Sequence, residues 1–163
     1  MYMVDSTLDL PTRTRTSPHR IDSSTGERKI LVFDNSYMWN LYIDGLKGVV
    51  EKNNIALTQF LGEARRVAKD RGPFDAYVIN LDRQYGSEHT LRDGVDLAER
   101  IMEHGEDREL MWFLSLHPGS LETAEARGFH RLYEISGEPV EYSNLNRFIL
   151  DLRQDLAYGR RGI

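Results

Sequence analysis

No cysteine occurs among the 163 residues, which excludes a disulfide framework and a thiolate metal site and agrees with a reducing compartment. No apolar run approaches the roughly 20 residues that cross a bilayer, and the first residues lack the apolar stretch of a signal peptide. Positive charge is not in excess either. The 21 Lys and Arg stand against 26 Asp and Glu, a formal net charge of −5. That balance argues against nucleic acid as the main partner, because phosphate binding rewards clustered cations. Missing too are a Walker-type glycine loop, a Gly-x-Ser-x-Gly elbow and an Asp-x-Asp nucleophile. Histidines 19, 89, 104, 117 and 130 show no ligand spacing such as His-x-x-x-His, which argues against a histidine zinc site. A nuclease with Asp after its first strand needs three or four converging acids, and these cannot be assembled from the sequence. Together these absences point to a cytoplasmic protein with no membrane segment.

What is present suits one packed domain. Forty per cent of residues are hydrophobic, with 2 Trp, 8 Tyr and 6 Phe, too many for a disordered chain. Residues 1–28 have a different texture, rich in Ser, Thr, Arg and Pro and without a helical or strand period. They are expected to form a disordered leader. Arg13, Arg15 and Arg20 sit together as a candidate partner-binding arm, but four acids balance the four arginines of the segment. The domain is expected over 29–158, with a short tail at 159–163.

Within the domain, Lys29–Phe33, Ala76–Leu81 and Leu110–Leu116 are continuous apolar runs, as expected of strands buried on both faces. Lys47–Glu51 and His130–Ile135 complete five strand candidates. Helices are expected at 36–43, capped by Asn35 or Ser36, and from Asn53 or Asn54 to about Lys69, with Leu57, Phe60, Leu61, Ala64 and Val67 on one face. Three more follow at 94–104, 120–128 and 144–157, the last marked by Leu145, Phe148, Ile149, Leu152 and Leu156. Gly45–Gly48 reads as a turn. Alternating strands and helices imply right-handed parallel crossovers, hence a five-stranded parallel open sheet with helices on both faces, a three-layer α/β/α arrangement. Such sheets bind ligands beyond the carboxyl ends of their strands. The residues to inspect are therefore Asp34 and Asn35, Asp82, Ser115 to Pro118, and Ser136 to Pro139.

Those strand ends resemble the receiver superfamily of two-component signalling. Ile30-Leu-Val-Phe-Asp-Asn35 stands where receivers carry an acidic pair, and Asp75–Asp82 resembles their third strand, with Asn80 or Asp82 in the acceptor register. Ser115 fits the Ser/Thr position, and Gly137-Glu138-Pro139 stands where Lys-Pro is found. The pattern is closer still to the receiver-like branch proposed to process cyclic phosphates. It is carried by Leu81-Asp-Arg-Gln-Tyr-Gly86, the long loop after it, Gly94-Val-Asp96, and Met111–Pro118 with its Trp112 and His117. The resemblance implies a metal-dependent phosphoesterase acting on nucleotide or RNA-end phosphates. The departures imply otherwise. Arg83-Gln84 replaces a His-Asp, Asn35 replaces the second acid, and Glu138 replaces the lysine that would neutralise a phosphoryl group.

The favoured reading is a degenerate receiver-like module that acts by binding another protein, or a nucleotide-like ligand, without standard aspartyl phosphorylation. The candidate catalytic residues are Asp34, Asp82 and His117, with Asp34 and Asp82 as ligands for a weakly held Mg²⁺. Asn35, Ser115, Gly119 and Ser120 are the candidate ligand-binding residues, the last two at a turn whose N–H groups could hold an anion. Each has a plain structural reading as well: Asp34 as a helix cap, Asp82 paired with Arg83, His117 as a loop histidine. Trp112, Phe113 and Leu114 read as core. Trp39, Tyr42 and Tyr85 read as core or as an exposed aromatic patch.

Overall fold

A computed structural model describes residues 27–82, 91–135 and 142–158. The leader up to residue 26, the loop 83–90 with Tyr85 and Glu88, the segment 136–141 with Gly137–Pro139, and the tail 159–163 lie outside the described residues.

Five strands form one sheet: β1 (Ile30–Phe33), β2 (Ile55–Thr58), β3 (Ala76–Asn80), β4 (Met111–Ser115) and β5 (Leu132–Glu134). Their order is β2-β1-β3-β4-β5, and every pairing is parallel. Ile30 pairs with both Ile55 and Ala76, Tyr77 with Met111, and Phe113 with Leu132. This is the flavodoxin-like strand order. Its three central strands are the three apolar runs of the sequence, each buried throughout, Val32, Val78 and Leu114 included.

The helices α1 (Trp39–Gly45) and α5 (Tyr142–Tyr158) cover one face, and α2 (Leu61–Arg71), α3 (Leu91–Glu103) and α4 (Pro118–Ala126) cover the other. Side chains alternate along each strand, so each strand feeds two cores. Leu31, Phe33, Ile79 and Phe113 pack with Ala64, Leu97, Ile101 and Leu121. Val32, Val78, Trp112 and Leu114 pack with Tyr42, Leu46, Phe148 and Leu152. Burying each such side chain contributes about 1.5–3 kcal/mol. Gly94 lets α3 press onto β3: a Cβ there would lie 2.7 Å from Leu81 Cδ2 and 3.0 Å from Ile79 Cγ2.

Two expectations need correcting. Lys47–Glu51 is not a strand. Leu46–Val49 is a turn after α1, in which the Val49 and Val50 N–H groups both bond the Leu46 carbonyl and Gly48 takes a φ of +87°. The second strand is Ile55–Thr58, and α2 starts at Leu61, not at Asn53 or Asn54. The physical reason is a coincidence of period. Leu57 in the strand falls at helical spacing from Phe60, Leu61 and Ala64, yet it belongs to β2, and Phe60 is largely exposed. The other boundaries move by three residues or fewer, as helix and strand ends commonly do. Arg28 belongs to the domain: it is buried, and its Nε donates to the Leu156 carbonyl at 2.9 Å.

Candidate functional site

The carboxyl ends of β1, β3 and β4 lie side by side, which brings Asp34, Asn80, Asp82 and Ser115 together. Asp34 follows β1 directly and is wholly buried. Its Oδ1 accepts from its neighbour's Asn35 N–H at 2.6 Å and from Asn80 Nδ2 at 2.9 Å. Its Oδ2 accepts from the hydroxyl of Tyr42, which α1 turns inward. The Asp34 carbonyl accepts from Trp39 Nε1 at 3.2 Å, and its N–H donates to the Thr58 carbonyl at 3.0 Å. Burial pushes the Asp34 pKa from 3.8 up to about 7. The hydrogen bonds from Tyr42, Asn35 and Asn80 oppose that rise, and the charge of Asp82 adds to it. Burial, and then the nearby Asp34 carboxyl, also raise the Tyr42 phenol well above its ordinary value.

Asn80 is the joint between the two aspartates. While its amide nitrogen holds Asp34, its Oδ1 accepts the Asp82 N–H at 2.8 Å. The half-buried Asp82 in turn accepts from Ser115 Oγ at 2.7 Å, and its Oδ2 accepts from the Leu116 N–H at 3.1 Å. Ser115 Oγ accepts the His117 N–H at 2.9 Å. The polar groups thus form one run from Tyr42 to His117. Asp34 and Asp82 meet through Asn80, and Asp34 faces no solvent.

The remaining candidates sit at the margin. Asn35 is buried and its Nδ2 donates to Tyr37 Oη at 3.2 Å. It makes no side-chain cap, which corrects that expectation: its own N–H is taken by Asp34, and the Ser36 N–H by Gln59 Oε1 at 3.1 Å. His117 joins the run through its backbone, while its imidazole is exposed. Gly119 and Ser120 lie in the first turn of α4, and among the described residues no hydrogen bond links them to the aspartates. Tyr42 was legible as an aromatic of the first helix but not as the partner of Asp34. The spacing of eight residues fits that role only once the short turn at Ser36–Met38 is known.

The fit of a divalent ion follows from these contacts. Such an ion needs carboxylate oxygens with open lone pairs and room for its waters. Asp34 offers neither, since both oxygens are engaged below the surface. Among the described residues no three His, Asp or Glu side chains form a group that could hold a metal. Asp96 is exposed and lies near Arg127, which Glu99 pairs at 2.7 Å. The described residues do not fit a tightly bound Mg²⁺ at Asp34. Around this centre Tyr37, Phe60 and Leu116 stand exposed on the turns that follow β1, β2 and β4.

No family model matches the chain, and no curated protein does. Among solved structures, a fusion carrying the yeast Spc42 trimeric coiled coil is similar over 80% of this chain and 80% of its own, at 17% identity and a TM-score of 0.47. A likeness of that size carries no argument here. Among the described residues no helix is long and apolar enough to cross a membrane.

Proposed function

We propose that this chain is a degenerate receiver-like module that acts by binding another protein and takes no phosphoryl group. One observation carries the reading: the carboxyl run at the strand ends is closed on itself. A phosphoacceptor aspartate needs a free carboxylate oxygen, a divalent ion and a cation to accept the added dianion. Asn80, one of the two residues in the acceptor register, is an amide held between Asp34 and the Asp82 N–H. Asp82, the other, is held by Ser115 and Leu116. Asp34 is buried and its carboxyl is half neutral near pH 7. The exposed Tyr37, Phe60 and Leu116 at the rim of this centre are the kind of side chains that make binding surfaces. The phosphoesterase reading stays second, because it needs several open carboxylates around a metal.

The test is intact-mass spectrometry after incubation with acetyl phosphate and Mg²⁺. The expected result is an unchanged mass. A phosphoryl adduct that disappears in Asp82→Asn would overturn the proposal.

A further inference from the structure

A second feature lies at the opposite end of the sheet, where the strands begin. The carboxyl ends of α2 and α3 leave a groove of about 500 Å³ between them. Its floor is apolar: Ala68 from α2, Tyr77 from β3, and Leu97 and Ile101 from α3. Its rim carries cations, Arg65 and Lys69 on one bank and Arg100 on the other, with His104 beside the last. The four are exposed, and Arg65, Lys69 and Arg100 have no ion-pair partner among the described residues. Elsewhere Arg127, Arg131 and Arg147 are paired with carboxylates. Glu106 also lines the groove but has partners of its own. On a chain of net charge −5, a concentration of unpaired positive charge at one opening is a local reversal of sign.

Two simpler accounts fall short. Lys69 and Arg100 lie in the last turns of their helices, where a cation offsets the negative end of the helix dipole. Arg65 is in the second turn of α2, beyond that effect, and it faces the same opening. A small anionic ligand would call for a polar group aimed into the floor. The one hydroxyl there belongs to the buried Tyr77 and is turned to the Phe74 N–H, which it accepts at 3.1 Å, and not to the opening. An apolar floor ringed by exposed charges is instead the pattern of a protein interface, with a dry centre and a polar rim.

We infer that this groove docks an acidic peptide segment of a partner protein, with one apolar side chain in the floor and flanking carboxylates against Arg65, Lys69 and Arg100. Charge complementarity selects the occupant, and a groove of about 500 Å³ has room for a large apolar anchor. This surface is independent of the state of Asp34 and Asp82, so it stands or falls apart from the binding reading of that centre.

The probe is a labelled peptide with one Phe flanked on both sides by Glu, titrated with the full chain by fluorescence anisotropy. Saturable binding is expected, weakening steeply with salt. Binding should fall at least tenfold in Arg65→Glu, Arg100→Glu, and when Ser replaces Phe or Lys replaces Glu in the peptide. In NMR spectra the shifts should centre on Ala68, Leu97 and Ile101. Circular dichroism melts of the two variants should match wild type, since both side chains are exposed. Failure of the Glu–Phe peptide to bind would overturn the inference. So would equal binding of the Ser peptide, or full binding by a folded Arg65→Glu, Arg100→Glu variant. Self-association of the chain that the same substitutions abolish would assign the groove to a second copy and overturn it too.

Discussion

Replacing Asp34 with Asn keeps the shape of the side chain and removes its charge, and the consequence can be worked from the burial. The folded-state pKa is raised from 3.8 to about 7. The folded protein therefore holds this proton more tightly than the unfolded chain does. Stability from this group is fully present below about pH 4 and is lost as pH rises toward about 7, after which the penalty is constant. At about 1.4 kcal/mol per unit, a shift of roughly three units makes the ionised carboxyl cost on the order of 4 kcal/mol. The substituted amide stays neutral at every pH. Its oxygen can accept from Asn35 and Asn80, but its NH₂ faces Tyr42 Oη, whose proton must turn away, which returns about 1 kcal/mol of the gain. Asp34→Asn should therefore lie up to about 1 kcal/mol below wild type near pH 4 and exceed it by about 3 kcal/mol near pH 8. Urea unfolding followed by tryptophan fluorescence across that range measures both, and the difference between the two curves cancels every other titrating group. A variant that parallels wild type at all pH values would refute the argument. So would one that loses stability as pH rises, because either result means that Asp34 is an ordinary ionised carboxylate in the fold.

Four further outcomes are expected. Tyr42→Phe removes a donor to Asp34 and should cost about 1–3 kcal/mol near pH 8, and less near pH 5, in the same urea assay. Ser115→Ala breaks the link from Asp82 to the His117 N–H and should cost about 1 kcal/mol with an unchanged denaturant slope. Gly94→Ala places a methyl 3.0 Å from Ile79 Cγ2, and despite the gain in helix propensity it should lower the melting temperature by a cost of about 1–3 kcal/mol. Phe148→Ala empties the space between Trp112, Tyr42 and Tyr133 and should cost about 3–5 kcal/mol, with loss of the near-ultraviolet dichroism of Trp112.

The central strands were legible because burial on both faces leaves nothing but apolar residues, as in Ile30–Phe33 and Met111–Ser115. The edge strand Ile55–Thr58 was not. Four residues are too few to show a period, and the start of α2 lends them a helical one. At the strand ends, Asp34, Asp82 and Ser115 could be picked out by position alone, since polar residues that end buried strands must find partners. Which partners they find depends on side-chain orientation. Tyr42 reaches Asp34 because α1 turns that face to the sheet, and Asn80 reaches Asp34 because β3 lies beside β1. Neither fact follows from spacing. The basic groove was less visible still, for Arg65 and Arg100 are 35 positions apart and become neighbours only when α2 packs against α3.

The alternation of side chains along each strand also makes the sheet a partition. Leu97 and Ile101 never share a core with Phe148 or Leu152, because a layer of hydrogen-bonded backbone stands between them. Residues without common neighbours change independently, so substitutions on opposite faces should sum in their effects, and paired ones on the same face should not. The protein can therefore alter the helices that shape its groove without retuning the buried tyrosine and tryptophan of the far side. Two halves of one small domain are in this sense free to vary as if they were separate parts.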